Sequence, residues 1–290
     1  MKTPSVRILI LGASGMLGHT ALRYFAQQSG FEVFGSLRAP KPALQKLAPS
    51  ARLIAGVDVE NSDALAALMA QVRPHVVLNA IGVVKQLAAA DDPLVALPIN
   101  ALLPHRLARL CELVGARLVH VSTDCVFTGK AGLYKESDAP DALDLYGRSK
   151  LLGEVDYPHA VTLRTSIIGP ELGGGAQGLV GWFLAQQGMV KGFNKAVFSG
   201  LPTLELARVI HHHVLPRPEL HGTWHVSSAP IDKYALLQLV KAAWYRDTLI
   251  NPEGQLVIDR SLDSSRFREA TGYQPAAWPL LVQAMKDFTE

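Results

Sequence analysis

The chain has 290 residues, 49% of them hydrophobic and 18% charged, enough for a large packed α/β domain and incompatible with disorder. The net charge of +3 comes from Lys and Arg residues scattered along the chain, so nothing supports a nucleic-acid partner. Cys111 and Cys125 form neither a metal-ligand spacing nor a disulfide framework, and no apolar run approaches the ~20 residues of a membrane span. Residues 1–5 lack the apolar region and cleavage site of a signal peptide, so the expected compartment is the cytoplasm, with no membrane association.

In chain order, short apolar, β-branched runs alternate with longer segments of helical periodicity. The runs are Val6–Leu11, 32–37, 51–57, 75–80, 117–122 and 161–168. Helices are expected at 16–28, 63–72 and 102–114. Strand–helix alternation of this kind predicts a doubly wound parallel sheet with helices on both faces. After about Gly169 the alternation decays: Gly173, Gly174 and Gly175 form a break, and prolines from Pro202 to Pro279 punctuate the remainder. One further strand at 223–226 and a helix at 232–245 fit there. The division is therefore a parallel-sheet region over 1–168 and a smaller lobe over 169–290, interleaved with the end of the sheet.

Gly12, Gly15 and Gly18 follow the first strand directly and open the first helix. In that setting the first glycine permits a tight turn, the second lets backbone approach a pyrophosphate, and the third lets helix pack on strand. N–H groups at the helix start face the anion. The GxxGxxG spacing marks Gly12, Ser14, Gly15, Met16 and Leu17 as cofactor-binding candidates. The second run ends at Leu37 and Arg38, without the acid that usually holds an NAD ribose. A guanidinium there suits a 2′-phosphate, which favours NADP(H) over NAD(H) without excluding the latter. Asp58 and Val59, after the third run, are placed beside an adenine. Ala80, Ile81 and Gly82, after the fourth, are placed beside ribose and nicotinamide.

Tyr146 and Lys150 stand four apart, hence on one face of a helix. A free phenol, with pKa about 10, exchanges protons poorly at neutral pH, and a neighbouring cation lowers that value. One helix earlier, the run 117–122 leads into Ser122 and Thr123 at the carboxyl end of a strand, where open α/β sheets bind ligands. Thr123, Tyr146 and Lys150 form the expected catalytic set: reduced nicotinamide delivers hydride to a carbonyl carbon, Tyr146 protonates the oxygen, and Thr123 hydrogen-bonds it. Lys150 also holds the ribose hydroxyls. Asn100 is a candidate for a water relay to Lys150, or else a helix cap.

These segments resemble the dTDP-4-dehydrorhamnose reductase branch of the extended short-chain dehydrogenase/reductases, a Rossmann-fold family. The resemblance rests on residues 11–18, on Ser122 through Gly129, on Tyr134 through Asp138 continuing over Tyr146 to Glu154, and on Leu163 through Ser166. Weaker echoes run to Ser265, so it spans nearly the whole chain. It implies NAD(P)H-dependent reduction of the 4-keto group of a nucleotide-activated deoxysugar, as in polysaccharide biosynthesis, with Thr123, Tyr146 and Lys150 on the catalytic positions. Lys85, Thr123, Cys125, Val126, Phe127, Tyr146 and Ile167 become substrate-binding candidates, with Lys191 and Lys195 further candidates for a diphosphate. A homodimer is expected from the resemblance. Two departures stand out: Cys125 replaces the family's usual Tyr, and Ile167, Ile168 and Gly169 replace its Trp-Val-Tyr. Both remove aromatic groups near the sugar, so the pocket differs and the sugar is not assumed to be rhamnose.

The related 4,6-dehydratases carry Glu where this chain has Cys125, which disfavours elimination chemistry. The alternatives are a sugar-nucleotide epimerase with tightly bound NAD, and a non-catalytic NADP-binding regulatory subunit. His211, His212 and His213 are adjacent and, on a helix, point in different directions, so no metal is predicted. Trp182 and Phe183 read as core, and Glu136 and Asp138 as residues ordering the loop before Tyr146.

Overall fold

The computed structural model describes residues 5–85, 88–173 and 177–289. The sequence readings at residues 1–4, Gly174 and Gly175 lie outside these. The chain forms two compact units: Met1–Ser122, Asp144–Leu163 and Arg217–Thr223 make the first, and Thr123–Leu143, Arg164–Pro216 and Trp224–Glu290 the second. The polypeptide passes between them several times, and the segment Thr123–Leu143 clusters with the second unit although it precedes Tyr146 and Lys150 in sequence.

The first unit begins β1 (Val6–Leu11), α1 (Met16–Ala26), β2 (Phe31–Ser36), α2 (Pro42–Leu47), β3 (Arg52–Ile54), α3 (Ser62–Val72) and β4 (Val76–Asn79). It continues with α4 (Pro93–Ala96), a π-helical stretch Leu97–Leu102, α5 (Leu103–Val114), β5 (Arg117–Thr123), α6 (Leu145–Leu152) and β6 (Ala160–Thr165). With the strand Gly222–His225 these strands make one seven-stranded sheet, in the order Gly222–His225, β6, β5, β4, β1, β2, β3. β1 pairs in parallel with both β2 and β4, β2 with β3, and β4 with β5. The order reverses between β1 and β4, the topological switch point at which open α/β sheets bind ligands.

Local chemistry sets the element ends. Asn61 caps α3 by accepting from the N–H groups of Asp63 and Ala64, and Arg73 ends that helix in the left-handed region (φ +46°), followed by Pro74. Gly115 closes α5 at φ +67°. The third run is shorter than its composition suggests: β3 stops at Ile54, and Gly56 turns the chain at φ +79°. Between sheet and helices lies a core of Leu9, Leu11, Val77 and Leu118 from strands, with Leu65, Leu68, Met69, Leu107 and Cys111 from α3 and α5. Each large aliphatic side chain buried there stabilises the fold by roughly 1.5–3 kcal/mol.

The second unit has shorter elements. Ala196–Phe198 pairs antiparallel with Ile231–Asp232 and parallel with Ile258–Asp259, and Met189–Phe193 pairs in parallel with Leu249–Glu253. Its core gathers Phe183, Leu236, Val240, Trp278 and Met285, with Trp182 packed against it. Among the described residues no helix is long and apolar enough to cross a membrane.

Candidate functional site

The glycine turn is built by close backbone approach. Gly12 has φ +75°, and a Cβ there would stand 2.8 Å from Ile81 Cγ1 and 3.2 Å from the Ala80 oxygen. Gly18 lies inside α1, and a Cβ there would come within 2.0 Å of the Gly12 oxygen. Gly15 is different: it is exposed, it is the N-cap of α1, and a Cβ would meet only the Gly12 oxygen at 3.4 Å. The first and third glycines therefore shape the turn, and at the second the turn is open. Gly35 in β2 completes the packing, since a Cβ would stand 2.8 Å from Ala13 Cβ and Leu22 Cδ1. Ser14 and Met16 are half-buried on this turn, whereas Leu17 is buried and serves the core.

The remaining cofactor candidates lie at the carboxyl ends of β2, β3 and β4. Arg38 is exposed just beyond β2. Asp58 accepts from the Glu60 N–H at 3.0 Å, and Val59 packs against the core. Ala80, Ile81 and Gly82 leave β4 against Gly12, with the Ile81 N–H donating to Asn79 Oδ1 at 3.1 Å. The Gly12–Gly15–Gly18 turn, Arg38 and the 80–82 turn, the sequence candidates for pyrophosphate, 2′-phosphate and ribose, thus follow the carboxyl ends of β1, β2 and β4.

Tyr146 and Lys150 stand on α6, whose first turn is capped by Asp144 Oδ1 accepting from the Gly147 N–H at 2.7 Å. Lys150 is buried, and its ammonium donates to the Val121 oxygen of β5 at 2.8 Å. Burial pushes its pKa down to about 8, partly opposed by the Glu154 carboxylate. Tyr146 is half-buried. Asn100 is not a helix cap: it lies within the π-helical stretch, accepts from the Val83 N–H and donates to the Val83 oxygen and to Ser149 Oγ. Ser149 Oγ in turn donates to the Tyr146 oxygen. Gly153 lets this stretch lie against α6, because a Cβ would stand 1.9 Å from the Asn100 oxygen. Ser122 donates to Glu154, just beyond α6, at 2.7 Å, so its hydroxyl is committed there. Lys85 pairs with Asp144 at 2.5 Å.

In the second unit, Thr123 ends β5. Its hydroxyl accepts from the Cys125 N–H at 3.1 Å and donates to Asp124 Oδ1 at 3.2 Å. Asp124 is buried, which raises its pKa against the opposing pull of Arg260 and of hydrogen bonds from Cys125 and Thr123. Cys125 is half-buried, and Ile167 is half-buried in a short strand paired with Leu201–Pro202. Val126 and Phe127, read from the sequence as substrate contacts, are fully buried. Phe127 stacks on Tyr134 at 4.1 Å between centroids and carries the Arg164 guanidinium over its ring, so both side chains serve packing instead. Lys191 pairs with Glu253. Glu136 and Asp138 do order their loop, accepting from the N–H groups of His225 and Lys135. His211, His212 and His213 fall in a π-helical turn, and the described residues contain no group of His, Cys, Asp and Glu able to hold a metal. Sequence reading missed Asn79, His120 and Gly35. Only Gly35 carried a signal, a glycine inside a strand, which marks close approach of another group.

Sheet order, glycine turn and the Tyr146–Lys150 helix define an extended short-chain dehydrogenase/reductase fold. The model of the RmlD substrate binding domain family matches residues 6–255, and the chain belongs to that family. It is 31% identical to methionine adenosyltransferase 2 subunit beta of Rattus norvegicus over 154 residues, 53% of this chain and 43% of that protein. It is also 31% identical to the probable low-salt glycan biosynthesis reductase Agl14 of Haloferax volcanii over 164 residues, 55% of this chain and 52% of that protein. The chain thus spans about half the length of the curated relatives it matches. The crystal structure of dTDP-4-dehydrorhamnose reductase from Bacillus anthracis in complex with NADP superposes with a TM-score of 0.79, covering 98% of this chain and 99% of that one at 20% identity. At that identity the likeness shows the fold.

Proposed function

We propose that the protein is a nicotinamide-dependent reductase of the 4-keto group of a nucleotide-activated deoxysugar, with NADPH as the preferred reductant. The observation that carries this reading is Lys150, buried one helical turn beyond Tyr146 in the unit that also holds the glycine turn. Burying an ammonium is costly, and its placement is explained by a phenol whose proton it mobilises. A nicotinamide dinucleotide held at its pyrophosphate by the Gly12–Gly18 turn would supply the hydride that the carbonyl carbon takes up. Tyr146 gives its proton to the carbonyl oxygen as the C–O double bond becomes an alcohol, and the charge of Lys150 favours the phenolate left behind. Asn100, tied to α6 through Ser149, holds the backbone beneath Tyr146 in place. Thr123, at the end of β5, is a further candidate by the family resemblance, and its hydroxyl donates to Asp124 in the structure. The occurrence of an NADP complex and a glycan biosynthesis reductase among the relatives supports the reading. Cys125, Ile167 and Gly169, at positions usually aromatic in the family, give the pocket a different lining, so the sugar is not assumed to be rhamnose.

The test is oxidation of NADPH, and separately NADH, in the presence of a panel of 4-keto sugar nucleotides. Tyr146→Phe is expected to lower turnover about 10²–10⁴-fold, the usual worth of a positioned acid, while NADPH binding stays within a few-fold. Near-normal turnover by that variant would remove Tyr146 from the mechanism. The match to a methionine adenosyltransferase subunit favours a second reading, a non-catalytic nicotinamide-binding subunit of a partner enzyme. Tight NADPH binding with no consumption across the whole panel would move the assignment there.

A further inference from the structure

His120 lies at the centre of β5 and is fully buried. Its neighbours fix the direction of every proton around it. The Ile81 N–H can only donate, so the Asn79 atom facing it at 3.1 Å is the amide oxygen. The Asn79 NH₂ therefore faces His120 Nδ1, at 3.1 Å, and donates to it. An imidazole that accepts at Nδ1 and is neutral carries its proton on Nε2. Burial first, then the Lys150 charge and His105, push the His120 pKa well below the ordinary value, which keeps the ring neutral. Nε2 has no hydrogen-bond partner among the described residues. The titratable groups whose charge acts on the ring are Lys150 from α6 and His105 from α5. Lys150 itself is anchored on Val121, the next residue of the strand.

We propose that Asn79 and His120 are positioning residues forming a one-way relay: at one end it fixes the 80–82 turn against which the cofactor lies, and at the other it turns an N–H rather than a lone pair toward the surroundings of Lys150. This rests on the reductase reading for its functional consequence, though the proton order within the relay does not. The two ends serve one site. The turn that leaves β4 packs on Gly12, so a shift of Ile81 propagates into the glycine turn. With Nδ1 accepting from Asn79 and Nε2 protonated, the ring offers no acceptor to any neighbour, the Lys150 ammonium included. Two groups in adjacent strands thereby couple the cofactor turn to the lysine without touching either reactant.

Two variants separate the relay from mere filling of the core. His120→Asn places its amide oxygen where Nδ1 stands and keeps an acceptor for Asn79; His120→Phe keeps the volume and removes the acceptor. We expect His120→Phe to weaken NADPH binding about tenfold, measured by quenching of protein fluorescence, and His120→Asn to restore it to within threefold of the parent. Long-range ¹H–¹⁵N spectra of the parent protein, recorded without cofactor, should show the His120 signals, identified by their loss in the variants, as the Nε2–H form, without titration from pH 8 to 5. An Nδ1–H form, or titration near pH 6.5, overturns the proposal. So does parental NADPH affinity in His120→Phe, or equal loss in both variants. If the parent protein fails to bind NADPH, the reductase reading falls, while the ring spectra, recorded without cofactor, still decide the relay.

Discussion

Alanine at Gly18 and at Gly15 should fail in opposite ways. A Cβ on Gly18 would stand 2.0 Å from the Gly12 oxygen, 2.8 Å from the Gly12 carbonyl carbon and 2.9 Å from Ala13 Cα. All three are backbone atoms of a tight turn and have little room to yield. Overpacking of this kind costs about 3 kcal/mol at the upper end of the usual range. Alanine returns about 1 kcal/mol of helix propensity within α1, leaving a net loss of about 2 kcal/mol. For a chain of this size that is a fall in melting temperature of roughly 4–8 °C. Gly15→Ala meets only one atom, at 3.4 Å, and loses at most about 1 kcal/mol as a poorer N-cap. Its methyl group instead occupies the open side of the turn. Saturating NADPH, at a hundred times its Kd, should stabilise the parent by about 2.7 kcal/mol. Thermal melts with and without NADPH therefore separate the two glycines: Gly18→Ala melts early without ligand, and Gly15→Ala melts near the parent yet gains little from NADPH. A Gly18→Ala protein with parental melting would refute the close approach of α1 to the turn. Full NADPH stabilisation of Gly15→Ala would refute the assignment of the pyrophosphate to it.

Arg38→Ala should raise the KM for NADPH about tenfold and leave that for NADH within twofold, since only the former carries the phosphate a guanidinium would grip; equal effects on both would remove Arg38 from cofactor choice. Lys150→Met should stabilise the cofactor-free protein at neutral pH. The folded-state pKa of about 8 lies below the ordinary 10.5, so below pH 8 the buried ammonium weighs fully against folding. Between pH 8 and 10.5 the unfolded chain binds more protons, and parental stability rises with pH relative to the variant. Urea unfolding should show a gap of at most about 3 kcal/mol at pH 7 that closes toward pH 10.5. A gap independent of pH would mean that Lys150 is not held at the expense of stability.

What could be read from the sequence followed from periodicity and from glycine. The alternation through residue 168 carried the parallel sheet because buried strands and amphipathic helices repeat with different periods. The Gly12–Gly18 spacing carried the turn because no other residue fits two of its three positions. Tyr146 and Lys150 were legible because their types and spacing already imply one helix face. Other features depend on contacts that sequence does not encode locally. Val126 and Phe127 lie beside Thr123 in the chain, which made them seem part of the site, yet Phe127 is held beneath Arg164 from a strand nearly forty residues on. Asn100 looked like a cap because it opens a helical stretch; in the structure it bonds Val83, 17 positions before it, and Ser149, 49 positions after it.

His120 shows why such residues escape notice. In sequence it is one polar residue in an otherwise apolar strand, and a lone buried histidine there is unremarkable. Its significance lies in proton order, which requires knowing that Ile81 faces one side of Asn79 and His120 the other. The same consideration bears on Lys150. An ammonium with a pKa near 8 is a poor stabiliser, and the surrounding groups do little to correct that: a single carbonyl from Val121, a nearby carboxylate already bonded to Ser122, and an imidazole whose lone pair is spent on Asn79. A fold selected only for stability would replace such a lysine with an apolar residue of similar length. Keeping it under-solvated makes sense if its charge is needed on one neighbour, the Tyr146 phenol. The pH dependence of Lys150→Met stability, set beside the loss of turnover in Tyr146→Phe, therefore tests one statement from two sides: the stability given up at position 150 is the charge used at position 146.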